Sequence, residues 1–209
     1  MSDEVNREFV ERRRDILGET YHDVTVHHET ETVEAGLFAE LRDLSRGGYT
    51  GGSYAWVVRD PDDAATLTES MPDEIDEGRR VLMILGRGGT EWGLPGGGRE
   101  DGETYEEAAV REVREETGVD CELTDCFLLV HRVTVSEGDH DDRLHTLWTV
   151  FDADYAGGSI AIQPGELNGA AWFEEPPDRI CPENELRAAD FWADFECEAD
   201  VLSRRLSGE

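Results

Sequence analysis

Between Val5 and Leu17 apolar residues fall at positions 5, 9, 10, 16 and 17, the stem of Arg13 fills the missing turn, and Gly18 follows. That spacing predicts a short amphipathic helix. Leu37, Phe38, Leu41 and Leu44, opened by Thr32 and closed by Gly47-Gly48, predict a second. The period then changes to short apolar runs bounded by Gly, Asp or Pro, and predicts strands at 54–59, 80–86, 126–135, 146–152, 160–163 and 170–173. Between the first two lies an acidic stretch, 61–77, with two prolines, which reads as a solvated insertion. After Phe173 the chain is broken by Glu174-Glu175-Pro176-Pro177. Pro182 then stands at the first turn of a helical stretch carrying Leu186, Phe191, Trp192, Phe195, Val201, Leu202 and Leu206. The expected organisation is a helical N-terminal extension (1–50), a central domain (51–177) and a C-terminal helical extension (178–209). One strong helix among many strands argues for an α/β sandwich with a mixed sheet and against a doubly wound parallel one.

That strong helix is predicted over 105–117. Thr104 with Glu107 three residues on is a capping-box pair, and Gly118 sits where a left-handed terminating residue belongs. At the helical period Glu112, Glu115 and Glu116 share an arc of about 100°, while Val110, Val113 and Thr117 lie on an adjoining face expected to pack.

Composition changes how this cluster is weighed. The 209 residues include 29 Glu and 21 Asp against 19 basic residues, all Arg, for a formal charge of −31. A few carboxylates together mean little in such a chain. The charge does exclude classes of partner: sequence-independent binding to nucleic acid or to an anionic membrane needs cations to neutralise phosphates. Five Trp, seven Phe and runs such as Val81-Leu82-Met83-Ile84-Leu85 exclude a disordered acidic chain. Like charge on this scale repels itself over a screening length of about 8 Å in physiological salt and only about 3 Å in molar salt. The expectation is a salt-adapted, cytoplasmic protein. No apolar run is long enough to span a membrane, and Met1-Ser2-Asp3-Glu4 has neither the charge nor the apolar core of a secretion signal. Cys121, Cys126, Cys181 and Cys197 contain no C-x-x-C pair. Cys121, Cys126, His140 and His145 fall in loose zinc-site spacing, but a strand and an acidic loop are poor carriers for such a site, so thiols are expected.

What lifts the Glu cluster above the background is its neighbourhood. Three anions at i, i+3 and i+4 repel by about a few tenths of a kcal/mol per exposed pair, and a divalent cation offsets that naturally. Carboxylate oxygens select Mg²⁺, Mn²⁺ or Ca²⁺ over zinc or copper. The turn Trp92-Gly93-Leu94-Pro95-Gly96-Gly97-Gly98 exposes backbone N–H groups without Cβ obstruction, a shape suited to phosphate.

Gly97, five residues, Glu103, seven residues, then Arg111-Glu112-Val113-Arg114-Glu115-Glu116-Thr117-Gly118-Val119 resembles the Nudix box without departure. Even at this chain's Glu frequency a chance match is on the order of 10⁻⁶ to 10⁻⁵. The resemblance implies an α/β/α sandwich with a mixed sheet, and a hydrolase that splits a nucleoside diphosphate linked to another group. It implies Glu112, Glu115 and Glu116 as ligands of Mg²⁺ or Mn²⁺, and Glu103 with Arg111 as an orienting ion pair. Gly96 and Gly97 take backbone roles at the substrate. The general base is Glu116 or a glutamate beyond the box, for which Glu166 in Gln163-Pro164-Gly165-Glu166 is the candidate. Arg87, leading into the glycine turn, is the candidate phosphate contact and Arg132 a weaker one. His131, His140 and His145 are not needed by such a mechanism. Tyr54 and Trp92 are aromatics suited either to stacking on a base or to the core.

Markers of ADP-ribose and dinucleoside-polyphosphate hydrolases, a Pro or Tyr downstream of the box, are missing from the 132–137 segment. The zinc segment of NADH pyrophosphatases and the coenzyme A marker are absent too. A nucleoside triphosphate or NDP-sugar is the expected substrate, with ADP-ribose still allowed. A non-catalytic nucleotide-binding regulator is the competing class, disfavoured because every box glutamate is present, and an RNA 5′-end hydrolase is disfavoured by the charge. The apolar stripes of the extensions suit a homodimer interface and intramolecular docking equally.

Overall fold

The computed structural model describes residues 3–63, 78–162 and 165–195, without the side chains of residues 139–141. Its elements in chain order are β1 (Glu4–Val5), α1 (Arg7–Thr20), β2 (Thr25–Val33), α2 (Ala35–Arg46), β3 (Gly51–Arg59), β4 (Arg80–Gly86), β5 (Trp92–Gly93), β6 (Gly96–Gly98), α3 (Tyr105–Thr117), β7 (Val119–Ser136), β8 (Asp139–Gly158), β9 (Leu167–Phe173) and α4 (Glu185–Phe191). The nine strands form one mixed sheet whose main path runs β2-β7-β8-β3-β4-β5, with β1 beside β8, β6 beside β3 and β9 beside β4. β3 and β8 run parallel with Ser53 opposite Thr149, and β7 and β8 form a long antiparallel pair.

Helices flank both faces, and the alternation along β3 shows why. Ala55 and Val57 turn toward Val113 of α3, whereas Trp56 and Val58 join Val81, Met83, Ala188 and Trp192 on the side covered by α4. α1 lies beside α3, where Val10 and Leu17 meet Tyr105, Ala109, Leu129, Leu147 and Phe151. The result is an α/β sandwich with a mixed sheet and flanking helices.

Several expectations are adjusted. The 160–163 stretch forms no strand over residues 160–162: the Ala161 N–H goes to the Thr117 carbonyl, 2.7 Å away, so the backbone there terminates α3 instead of joining a ladder. Residue 163 lies outside the described residues, as do 64–77 of the acidic insertion and Cys197, Val201, Leu202 and Leu206. Val110 is 37% exposed, because α3 packs through Tyr105, Ala108, Ala109 and Val113. Between the two N-terminal helices stands β2, which the apolar pattern did not reveal. It is mostly exposed, so it carries no clean alternation. Pro182 opens a single 3₁₀ turn before α4.

Candidate active site

The local signals around α3 act as their chemistry requires. The Thr104 hydroxyl accepts from the Glu107 N–H, and the Glu107 carboxylate accepts from the Thr104 N–H, closing the capping box. Gly118 ends the helix at φ 74°, in the left-handed region. A buried polar chain seats the first turn on the sheet: the Thr149 hydroxyl donates to the Ser53 hydroxyl, which donates to the Tyr105 carbonyl 2.7 Å away. The Tyr105 hydroxyl in turn donates to the Thr50 carbonyl.

Arg111 organises the carboxylates. Its Nε and Nη2 bind the two oxygens of Glu103 at 2.7 and 3.1 Å, and Nη2 also donates to the Gly98 carbonyl at 2.8 Å. Its Nη1 reaches Glu112 at 2.8 Å and Glu115 at 3.0 Å. Hydrogen bonding from Arg111 above all holds the Glu103 carboxyl below the usual carboxylate range, with help from the Glu100 N–H and the charge of Arg99.

Glu116 is held differently. Its carboxylate accepts the Gly96 N–H at 2.9 Å. Burial nonetheless pushes its pKa up to about 7, the charges of Glu112 and Glu166 adding to the effect. Burial also raises Glu112, against the pull of Arg111. The glycine turn lies flush against these groups. A Cβ on Gly97 would come within 2.6 Å of the Glu112 carboxyl carbon, and one on Gly96 within 2.2 Å of the Ser53 carbonyl oxygen. Thus the Gly96 N–H, expected to face phosphate, is given to Glu116.

The structure brings Arg87 and Glu166 to the same place on neighbouring loops. The Arg87 N–H donates to the Glu166 carbonyl at 3.1 Å and its Nη1 to the Gly165 carbonyl at 3.0 Å. Other candidates are held by different partners. Arg132 is ion-paired to Glu29 and sits 5.8 Å over the Trp148 ring. His131 and His145 are buried against each other on the side of α1, and the His140 side chain is outside the described set. Trp92 packs edge-on against Phe173. Tyr54, by contrast, stacks on Trp148 with ring centres 5.8 Å apart, next to Gly96. Cys121 and Cys126 are buried thiols, raised by burial to about 11 and about 12. Sequence reasoning did not single out Arg99, Ser53 or Thr149. Arg99 lies in the unspecified stretch between Gly97 and Glu103, and nothing in its local pattern marks it.

Among the described residues no three His, Cys, Asp or Glu side chains already converge on one point. Arg111 draws Glu112 and Glu115 to itself, and Gly96 draws Glu116. The donor set still fits a hard divalent cation: it is all carboxylate oxygen, two of its members carry charge that burial disfavours, and the glycine turn leaves no side chain over Glu112.

Comparison with known proteins bears on the same segment. Over 74 residues the chain is 39% identical to an NAD-capped RNA hydrolase, NudC, of Stutzerimonas stutzeri, covering 35% of this chain and 24% of that one. It is 30% identical over 106 residues to a putative 8-oxo-dGTP diphosphatase of Bacillus subtilis, covering 51% of this chain and 64% of the relative. The chain therefore spans less than two thirds of the length of either. A MutT NUDIX hydrolase structure from Burkholderia pseudomallei aligns with a TM-score of 0.44 at 22% identity, over 68% of this chain and 96% of that one. The NUDIX domain model matches residues 73–194, more than half of the 209, and the chain belongs to the NUDIX family.

Proposed function

We propose that this chain is a divalent-metal-dependent pyrophosphohydrolase acting on a nucleoside diphosphate linked to another group. The observation that carries this is the arrangement of three carboxylates on α3, Glu112 and Glu115 tied to Arg111 and Glu116 to the Gly96 N–H, with the glycine turn flush against Glu112. In this reading the three glutamates hold Mg²⁺ or Mn²⁺, which when bound offsets diphosphate charge and makes a water acidic enough to ionise near neutral pH. Water attacks one phosphorus, the bridging P–O bond breaks, and the proton passes to a carboxylate. Glu116, whose affinity for a proton is already raised, and Glu166, whose charge reaches it, are the two candidates for that base. Glu103 and Arg111 orient loop against helix. Arg87 contacts phosphate, an assignment supported by its place beside the Glu166 loop.

For the substrate we favour a nucleoside triphosphate, as the putative 8-oxo-dGTP diphosphatase name of one relative suggests, or an NDP-sugar, with ADP-ribose the alternative. A capped RNA chain, as in the other relative's name, fits poorly with a charge of −31 and no Lys. The stacked Tyr54 and Trp148 rings beside Gly96 offer a flat surface of the kind a base uses. No helix among the described residues is long and apolar enough to cross a membrane. A salt-rich cytoplasm suits the surface charge.

The test is product chromatography in high KCl with Mg²⁺, then Mn²⁺, over nucleoside triphosphates including oxidised guanine, NDP-sugars, ADP-ribose, NADH and diadenosine polyphosphates. Turnover of one group that EDTA abolishes is expected. Folded protein that binds nucleotide yet turns over none of them would make it a regulatory module.

A further inference from the structure

Arg99 is a buried cation whose mapped hydrogen-bond partners are all neutral oxygens, in a chain with 50 carboxylates. It is 7% exposed. Its Nε donates to the Thr50 hydroxyl at 2.8 Å, its Nη1 to the carbonyls of Glu100 and Glu103 at 2.7 and 2.9 Å, and its Nη2 to the Gly48 carbonyl at 3.3 Å. The guanidinium carbon lies 5.2 Å from the ring centre of Phe9 in α1 and 5.8 Å from that of Tyr105 in α3. Arg99 thus closes both ends of the Glu100–Glu103 turn from within, while aromatic rings of two helices cover it.

The turn it closes is the one that presents Glu103. The Glu103 carboxylate accepts from the Glu100 N–H at 3.0 Å and grips Arg111, whose remaining nitrogen reaches Glu112 and Glu115. A continuous set of hydrogen bonds runs from Arg99 through the turn to two of the three carboxylates on α3. A change in the turn's height would change where Arg111 stands, and with it where Glu112 and Glu115 point.

We propose that Arg99 is a positioning residue for the α3 carboxylates, held in place by Phe9, so that α1 belongs to the support of the site and is more than an appendage. This rests on the reading of Glu112, Glu115 and Glu116 as metal ligands. Groups that support ligands without touching the metal set its affinity by about 10- to 100-fold.

The experiment measures binding of Mn²⁺ alone to the full chain in molar KCl, by loss of the free-ion paramagnetic resonance signal, with thermal unfolding as a check on folding. The variants are Arg99→Met, Phe9→Ala, Ile16→Ala and Glu115→Gln. Arg99→Met is expected to bind Mn²⁺ about tenfold more weakly, and its hydrolysis rate should recover at high Mn²⁺ while that of Glu115→Gln does not. Phe9→Ala should shift affinity in the same direction, and Ile16→Ala, exposed on the same helix, should not. Wild-type affinity in folded Arg99→Met overturns the proposal; if that variant does not fold, wild-type affinity in Phe9→Ala does so. If Glu115→Gln binds Mn²⁺ as the wild type does, the metal-site reading itself falls and this proposal with it. If Glu115→Gln weakens binding while Arg99→Met and Phe9→Ala do not, that reading stands and the proposal alone falls.

Discussion

His131 Nε2 lies 2.9 Å from His145 Nδ1, joining β7 to β8 through two buried rings. The direction of the hydrogen bond is fixed from both ends. Arg14 Nη1, a donor, approaches His131 Nδ1 at 3.3 Å, and Glu4, an acceptor, lies 2.7 Å from His145 Nε2. His131 therefore accepts at Nδ1 and donates from Nε2, which makes its ring neutral. The chain of bonds fastens β1 and α1 to the sheet.

This arrangement predicts an acid-sensitive fold. Burial above all, with His145, His28 and Arg14 adding and Glu11 opposing, lowers the His131 pKa to about 4. Because the folded value lies below the unfolded one, the contribution is complete above about pH 6.5 and is lost as pH falls toward about 4, at most about 3 kcal/mol. Denaturant unfolding of the wild type across that window should fall more steeply than that of His131→Gln. Equal slopes would refute the account.

Two glycine substitutions should separate the site from the fold. In Gly97→Ala the new Cβ meets the end of the flexible Glu112 side chain, so stability should change by less than about 1 kcal/mol while Mn²⁺ binding and hydrolysis drop. In Gly52→Ala it would come within 2.1 Å of the Gly97 carbonyl oxygen, backbone against backbone. That should cost about 2–4 kcal/mol in a melting experiment.

Glu116→Gln keeps an acceptor for the Gly96 N–H and removes a charge that burial disfavours, so its stability should equal or exceed that of the wild type. Glu115→Gln, largely exposed, should be neutral for stability as well. Both should lose metal-dependent turnover by about a hundredfold or more. Full activity in the two, measured with the substrate found in the screen, would remove the metal-site assignment.

Raising KCl from about 0.2 M to about 3 M should raise the melting temperature, because the screening length shrinks to about 3 Å by 1 M and surface repulsion weakens with it. NaCl should act similarly if screening is the cause. A melting temperature that falls with salt would contradict salt adaptation.

The central helix was legible because its signals are local. Thr104, Glu107 and Gly118 each act within one turn, and Glu112, Glu115 and Glu116 share a face by periodicity alone. Arg80–Gly86 was legible too, as an apolar run bounded by turn residues. β2 was not: an exposed edge strand has no buried face to write a pattern, and only pairing with β7, distant in sequence, makes it a strand. The partners of Gly96, Arg99 and His131 were hidden for the same reason. Each contact joins segments whose proximity the sheet creates, and none leaves a mark in its own neighbourhood.

That sheet imposes an order on folding during synthesis. Thr25 pairs with Leu128 and Glu4 with Arg143, so β1 and β2 leave the ribosome long before the strands that receive them exist. α1 can form locally within that time, but its apolar face must wait for α3, β7 and β8. The edge strand is therefore made well before the strand it pairs with, and any partner that captured residues 4–33 in the interval would leave β7 itself as the open edge.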